Sequence, residues 1–245
     1  MSKNVGVIGL GAMGSGMAGS LRRAGFDTAV FDIRTEVAQA FAKEGGTACA
    51  SLAELGARSD VIVSVVVNAA QTESVLFGAD GCAASMKRGS VFVMCSTVDP
   101  NWSIALEARL AALGILYVDA PISGGAAKAA SGQMTMMTAA TPQAYAKAGD
   151  MLDAMAAKVY RLGDKAGAGS KVKIINQLLA GVHIAAAAEA MALGLREGVD
   201  ADALYEVITR SAGNSWMFEN RIAHVLAADY TPLSAVDIFV KDLGL

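Results

Sequence analysis

The sequence predicts an α/β fold: a doubly wound, mostly parallel sheet, followed by an all-helical C-terminal domain entered by one long helix. Three observations predict it. Over the first two-thirds of the chain, short β-rich runs alternate with helical patterns, the order of a parallel sheet with crossover helices. The runs are almost continuously apolar, as strands are when both faces of their sheet are covered. Beyond Gly163 the strand signal stops and only helical periodicity remains.

The strand runs are NVGVIG (4–9), DTAVFD (27–32), DVIVSVVV (60–67), SVFVM (90–94) and GILYVD (114–119). A helix is expected over Ala12 to Ala24, and further starts are marked by Thr35-Glu36, Asp99-Pro100 and Thr141-Pro142, each a capping residue before an acid or a proline. LGDKAGAG (162–169) is a turn-rich break. After it, about 167–196 reads as one helix, with shorter helices at about 201–211 and 215–227. Two domains are expected, 1–163 and 164–245.

Bulk composition narrows the function. The chain has 245 residues, 54% of them hydrophobic and 18% charged, enough to bury a sizeable core. A net charge of −3 gives no general attraction to nucleic acid or an anionic membrane. Cys49, Cys82 and Cys95 are few, odd in number and not in a C-x-x-C arrangement, so neither a disulfide framework nor a zinc site is expected, and a reducing cytoplasm fits. With His183 and His224 as the two histidines, no metal centre is expected. The most apolar stretch, Ile174 to Ala188, reads as too short and too polar for a membrane span. The glycine-punctuated start does not read as a signal peptide.

Gly9-Leu10-Gly11-Ala12-Met13-Gly14 is a G-x-G-x-x-G that follows an expected strand and opens an expected helix, with Asp32 ending the next strand 18 residues beyond Gly14. Together these are the fingerprint of a Rossmann-type dinucleotide site. Gly9 allows the tight turn, Gly11 the close approach of a pyrophosphate and Gly14 the packing of helix on strand. The helix N-terminus offers N–H groups to the phosphates. Asp32 would accept hydrogen bonds from ribose hydroxyls and repel a 2′-phosphate, which favours NAD. Arg34 keeps NADP open, because an arginine just past the strand also holds a 2′-phosphate.

In GSKVKIINQLL (169–179), Lys173, Asn176, Gln177, Ala180 and His183 share one arc of the helix, and Ile174, Ile175, Leu178, Leu179 and Val182 occupy the rest. A helix so apolar is expected to be largely buried, its polar stripe facing a cleft or water. Facing a cleft, Lys173 is a candidate general acid/base, since desolvation and a nearby cationic ring both draw a lysine towards working pH. Lys171, roughly opposite, is expected to reach solvent. Met134, Met136 and Met137 are read as core or sheet packing, Cys95 as an inert thiol, and Trp216 and Phe218 as packing of the helical domain, with lining of a substrate pocket as the alternative.

Four motifs in order, GVIGLGAMGSGMA, MCSTVDP, DAPISGGAAKAASGQMTMM and GAGSKVKIINQ, with FVKDLGL near the C-terminus, resemble the β-hydroxyacid dehydrogenase family, which includes 3-hydroxyisobutyrate dehydrogenase. The resemblance implies an NAD(P)-dependent enzyme acting on a small hydroxy acid. It implies Lys173 as the catalytic lysine and Ser123, Gly124 and Gly125 as the substrate carboxylate loop, with Asn176 and Gln177 also at the substrate. It places Val66, Val67, Thr97 and Lys241 with the glycine loop, Asp32 and Arg34 on the cofactor. Asp242 is expected to be structural. It further implies a homodimer or homotetramer, and a helical domain incomplete at its C-terminus, since family members continue past K-D-L.

Two positions depart from the family pattern. Gln177 stands where an asparagine is frequent, and Val65-Val66-Val67 replaces an M-L-P turn. GGAAKAASG, KIINQLLAGVHI and DYTPLSAVDIFVKDLGL look like the threonate dehydrogenase branch, whose substrates are four-carbon sugar acids. NAD-dependent oxidation of such an acid is therefore expected. The alternatives are an NADPH-dependent reductase of tartronate semialdehyde or glyoxylate, and a catalytically silent cofactor-binding protein. Imine reductases share the overall plan but usually lack the lysine. A 6-phosphogluconate-type enzyme would need an arginine cluster for its phosphate, which these motifs lack.

Overall fold

The computed structural model describes residues 4–231 and 237–245. The segment 232–236, part of the motif DYTPLSAVDIFVKDLGL, lies outside the described residues. Contacts divide the chain into two units, Met1–Lys173 and Ile174–Leu245.

The first unit begins β1 (Asn4–Ile8), α1 (Gly14–Arg23), β2 (Asp27–Phe31), α2 (Thr35–Lys43), β3 (Thr47–Ala48), α3 (Leu52–Arg58), β4 (Val61–Ser64), α4 (Ala69–Phe77), β5 (Val91–Met94), α5 (Pro100–Ala112) and β6 (Leu116–Asp119). It continues through β7 (Ile122–Ser123), α6 (Gly125–Ser131), β8 (Met134–Ala140), α7 (Pro142–Met155) and β9 (Ala156–Arg161) to the first turns of α8 (Ala168–Arg196). The sheet runs β3-β2-β1-β4-β5-β6-β8-β7, with β9 on β8. The strands from β3 to β6 are parallel, and β8 joins β6 antiparallel.

Period-two alternation explains why the strands read as unbroken apolar runs. Val5, Val7, Val61, Val63, Val91, Val93 and Val118 face one layer, packed with Met17, Leu21, Met151 and Leu152 from α1 and α7. Ile62, Phe92, Met94 and Tyr117, their sequence neighbours, face the other, packed with Leu55, Leu76, Leu106 and Leu110. Both faces of the sheet are buried, so neither side of a strand is free to be polar.

Capping fixes the helix starts. Asp99 accepts from Asn101 N and Trp102 N with Pro100 in the first turn, and Thr141 accepts from Ala144 N ahead of Pro142, as expected. At α2 the structure differs. Thr35 is already helical, the flanking residue is Arg34, and no side chain caps the helix. Asp32 accepts the Arg34 N–H at 2.9 Å and turns the chain one residue early.

β7, β8 and β9 were not expected as strands. MTMMTAA lacks the β-branched density of the other runs, and AAKVYR follows α7 without a turn residue. β8 forms because it lies between β6 and β7 with its methionines inward, Met134 and Met136 being fully buried.

The second unit contains the rest of α8 with α9 (Ala201–Thr209), α10 (Trp216–Leu226) and α11 (Asp237–Asp242). Ala187, Met191, Phe218 and Ile222 form its small core, and Tyr205 stacks on Phe218 at 6.0 Å. Trp216, read as packing, is exposed instead. A Cβ on Gly194 would lie 2.3 Å from Leu204 Cδ2, which brings α9 close to α8.

The burial of α8 corrects the sequence expectation. Lys173, Gln177 and Ala180 are buried, whereas Ile175, Leu178, Leu179 and Val182 are more than half exposed. Periodicity identifies residues that share a face, but packing decides which face is covered, and here it covers the polar arc. The membrane expectation also changes. At 29 residues, with a mean hydropathy of 1.7 over its most apolar window, α8 is long and apolar enough to cross a bilayer by length and composition. The stretch Ile174 to Ala188 is only part of that helix. One such helix is weak evidence for a span.

Candidate active site

The glycine loop joins β1 to α1. Gly9 has φ +88°, and a Cβ there would lie 2.7 Å from Val65 O. A Cβ on Gly14 would lie 1.9 Å from Gly9 O, whereas one on Gly11 would meet nothing within 4 Å. Gly14 thus closes the turn on itself, and Gly11 faces open space. Leu10 is buried, Met13 half-buried against the core and Ala12 exposed. No side chain caps the start of α1.

A cleft of about 390 Å³ opens beside this loop, lined by Gly9, Gly11, Phe31, Asp32, Ile33, Arg34, Val65, Val66 and Val67 among others. It gathers six of the expected cofactor residues. Leu10, Ala12, Met13 and Gly14 shape the loop without lining the cleft. Thr97 sits half-buried in the turn after β5, and Lys241 belongs to the second unit. Ile33, 88% exposed at the cleft, was not anticipated, because an isoleucine after a strand carries no signal of its own.

Asp32 accepts four hydrogen bonds: from Leu10 N at 2.6 Å and an Arg34 terminal N–H at 3.5 Å on one oxygen, and from Arg34 N at 2.9 Å and Arg34 Nε at 3.2 Å on the other. Burial pushes its carboxyl up, but the Arg34 side chain and the two N–H groups outweigh that and hold it below the usual aspartate range. The site therefore keeps a carboxylate, with an exposed guanidinium resting on it. These residues fit a dinucleotide: an uncapped helix start, a loop with no side chain where phosphates approach, and an ionised acid at the next strand end.

The wall of the cleft is tied to the next strand. Ser96 Oγ donates to Val66 O at 2.7 Å, and Thr72 Oγ1 lies 3.3 Å from Ser96 Oγ. Ser96 follows β5 and was passed over in the sequence.

The SGG loop sits where β7 meets α6. Ser123 is half-buried, and Gly124 (φ 142°) and Gly125 (φ 75°) have backbones suited to glycine. A Cβ on Gly125 would meet nothing within 4 Å. The helix that follows is pressed on α1. A Cβ on Gly16 would lie 2.5 Å from Ala130 N, and Ser20 Oγ donates to Ala129 O at 3.1 Å. The two glycine loops are therefore braced through their own helices.

Lys173 lies on the buried face of α8 at 7% exposure, and Lys171 is exposed, as expected. The start of α8 is fastened to the end of β6. Asp119 accepts from Gly167 N at 2.9 Å, Ser170 N at 3.0 Å and Ser170 Oγ at 2.7 Å. Burial raises the Asp119 carboxyl above the ordinary value, and the donors of Ser170 and Gly167 offset part of that rise. Sequence reading passed over Asp119 as the last residue of a strand, although it opens the DAPISGG motif.

Within the second unit, Asn176 Nδ2 donates to Gln177 Oε1 at 3.1 Å, and Gln177 Nε2 donates to Asp242 Oδ2 at 2.7 Å. Lys241 Nζ is 2.6 Å from Asp242 Oδ1. Both Gln177 and Asp242 are buried. Asp242 thus links Lys241 to the amide pair.

All three cysteines are free and buried. Burial pushes the Cys82 and Cys95 thiols up to about 12 and also raises Cys49. With almost no thiolate, the native protein should react with no more than a trace of an aromatic disulfide reagent at pH 8, and with three equivalents in guanidinium. Stoichiometric labelling of the native chain would contradict this burial.

Among the described residues, no group of three or more His, Cys, Asp or Glu is placed to hold a metal. A family model described as the NAD binding domain of 6-phosphogluconate dehydrogenase matches residues 4–163. A second, described as NAD-binding of NADP-dependent 3-hydroxyisobutyrate dehydrogenase, matches residues 167–245. The chain is 68% identical over 245 residues to an L-threonate dehydrogenase of Cupriavidus necator, covering 100% of this chain and 82% of that protein. It is 50% identical over 244 residues to an L-threonate dehydrogenase of Escherichia coli, covering 99% and 80%. A crystal structure described as 3-hydroxyisobutyrate dehydrogenase from Salmonella typhimurium superposes with a TM-score of 0.93 at 52% identity, covering 99% of this chain and 85% of that one.

Proposed function

Because the chain belongs to the β-hydroxyacid dehydrogenase family, in its threonate dehydrogenase branch, we propose that it oxidises a four-carbon sugar acid of the threonate type, with NAD as the preferred cofactor. It is an NAD(P)-dependent oxidoreductase acting on CH–OH groups. The observation that carries the proposal is a buried lysine on a helix whose first turn is bonded to the strand end that leads into the SGG loop.

Bound cofactor supplies the hydride acceptor. Ser123 Oγ and the N–H groups of Gly124 and Gly125 hold the substrate carboxylate, a compact anion site in a loop with no side chain in the way. Lys173, as the neutral amine, takes the proton from the substrate hydroxyl as the carbonyl forms, and returns it in the reverse direction. Asn176 and Gln177, one turn further along α8, supply amide groups for the remaining hydroxyls of a polyhydroxy acid. Asp242 fixes which way Gln177 points: its Nε2 is committed to the carboxylate.

The preference for NAD rests on Asp32. A carboxylate kept ionised repels a 2′-phosphate, and the neighbouring Arg34 is engaged by that same carboxylate. Thr97, Val66 and Val67 contact the cofactor from the strand ends. We place the protein in the cytoplasm as a soluble homo-oligomer, in keeping with small soluble substrates and three free thiols.

The test is a panel of C3 to C6 hydroxy acids, each with NAD and with NADP, alongside glyoxylate and tartronate semialdehyde with NADPH. The expected result is the highest kcat/KM for threonate with NAD. A higher value for glyoxylate with NADPH would make the protein a reductase. NAD binding by calorimetry with no turnover across the panel would make it a silent binding protein.

A further inference from the structure

Asp119 is fully buried at the C-terminal end of β6, and its carboxylate takes no part in the chemistry described above. It has two structural neighbours that both matter to that chemistry. Along the chain, Asp119 leads through Ala120 and Pro121 directly into Ile122 and Ser123 of β7. Across space, it accepts two of the backbone N–H groups at the start of α8, Gly167 N and Ser170 N, and the Ser170 hydroxyl. The strand itself is fixed on both sides: Asp119 pairs with Met94 in the parallel sheet and with Ala139 in β8. One rigid residue therefore sets the origin of the SGG loop and the origin of α8.

Ser170 and Lys173 stand at i and i+3 on α8, so they share a face, and both are buried. The contact admits no spare room. A Cβ on Gly169 would lie 2.4 Å from Met137 O and 3.0 Å from Asp119 O. The first turn of α8 is thus seated on β6 and β8 by backbone contact, and Asp119 holds it there.

We propose that Asp119 is a positioning residue: through Ser170 and Gly167 it fixes the Lys173 amine relative to the Ser123–Gly125 loop. The proposal rests on Lys173 as the acid/base. Proton transfer requires the amine within hydrogen-bond reach of the substrate oxygen, and a misplacement on the order of 1 Å can cost about 10²-fold in rate. An anchor one turn from the lysine is where such precision is gained or lost. Asn at position 119 keeps a carbonyl oxygen for the two N–H groups and presents an amide that Ser170 Oγ can accept from, so it preserves the join. Ala removes every acceptor.

The experiment compares Asp119→Ala, Asp119→Asn and Ser170→Ala in the full chain. It measures kcat, KM, NAD affinity and the rate at which Lys173 is acetylated, read by peptide mass spectrometry with exposed Lys171 as the internal reference. In Asp119→Ala, kcat is expected to fall about 10²-fold and Lys173 labelling to rise about tenfold relative to Lys171, while NAD affinity changes less than about threefold. Asp119→Asn is expected to recover kcat to within about fivefold of wild type. Ser170→Ala keeps both backbone bonds and is expected to lose about three- to tenfold; if Asp119→Ala does not fold, it carries the test. Wild-type kcat and wild-type Lys173 labelling in a folded variant that lacks the Ser170 bond would overturn the proposal. So would a loss of kcat accompanied by an equal loss of NAD affinity. Lys173→Ala, assayed in parallel, tests the catalytic assignment by itself: wild-type turnover there removes the assignment, whereas the labelling ratio still reports whether Asp119 holds the lysine.

Discussion

In Lys173→Ala, turnover of the hydroxy acid falls by a factor on the order of 10²–10⁴, the usual share of general acid–base catalysis, and NAD affinity stays within a few-fold of wild type. The split follows from position. The cleft lined by Gly11, Asp32 and Arg34 is built from β1, β2, the turns after β1, β2 and β4, and α4, and Lys173 is not among its lining residues. Truncating the side chain removes the amine proposed to accept the hydroxyl proton and leaves the residues lining the dinucleotide groove in place. Stopped-flow turnover with calorimetric NAD binding checks both halves. Near-wild-type turnover would remove Lys173 from the mechanism, and lost NAD affinity would show that the lysine supports the fold of the cofactor domain.

Gly14→Ala is expected to weaken NAD binding by roughly tenfold or more, about 1.4 kcal/mol, and to destabilise the chain by about 1–3 kcal/mol. The added methyl would stand 1.9 Å from Gly9 O and 3.3 Å from Val65 Cβ. The first of these is backbone, held in a turn by the Gly9 N–H bond to Phe31 O, so relief requires opening the phosphate loop itself. Gly11→Ala provides the contrast. Its methyl meets open space, so the protein should melt as wild type does and lose affinity only, where a bound pyrophosphate would need that space. Thermal melts with NAD titrations separate the two. A Gly14→Ala protein with unchanged melting and affinity refutes this account of the turn.

The parallel half of the sheet was legible because two-sided burial leaves an unmistakable mark: runs such as VIVSVVV and SVFVM have no polar side to hide. The helix starts at Asp99-Pro100 and Thr141-Pro142 were legible because a cap is a local chemical device. β8 and β9 were not, since methionine and alanine become strand residues only once β6 offers an edge to pair with. The turn from β1 into α1 was legible from glycine spacing, and the shared face of Lys173 and Gln177 from helical periodicity. Hydropathy misassigned the covered face of α8, because the interactions that bury Gln177 come from Asp242, 65 residues away. Asp119 and Ser170 were hidden for the same reason: their bond spans 51 residues, and nothing in either local segment announces the other.

The close seating of α6 on α1 limits how this scaffold can acquire new substrates. Gly16 leaves no clearance for even a methyl group against Ala129 and Ala130, and Ser20 is bonded to the same turn. Neither loop at the head of these helices can shift without dragging the other. Insertions in the SGG segment would therefore disturb cofactor docking, and selection for a longer or shorter acid has to work by exchanging side chains on a fixed frame. Laboratory evolution of this protein should accumulate its gains by side-chain exchange outside the two glycine loops.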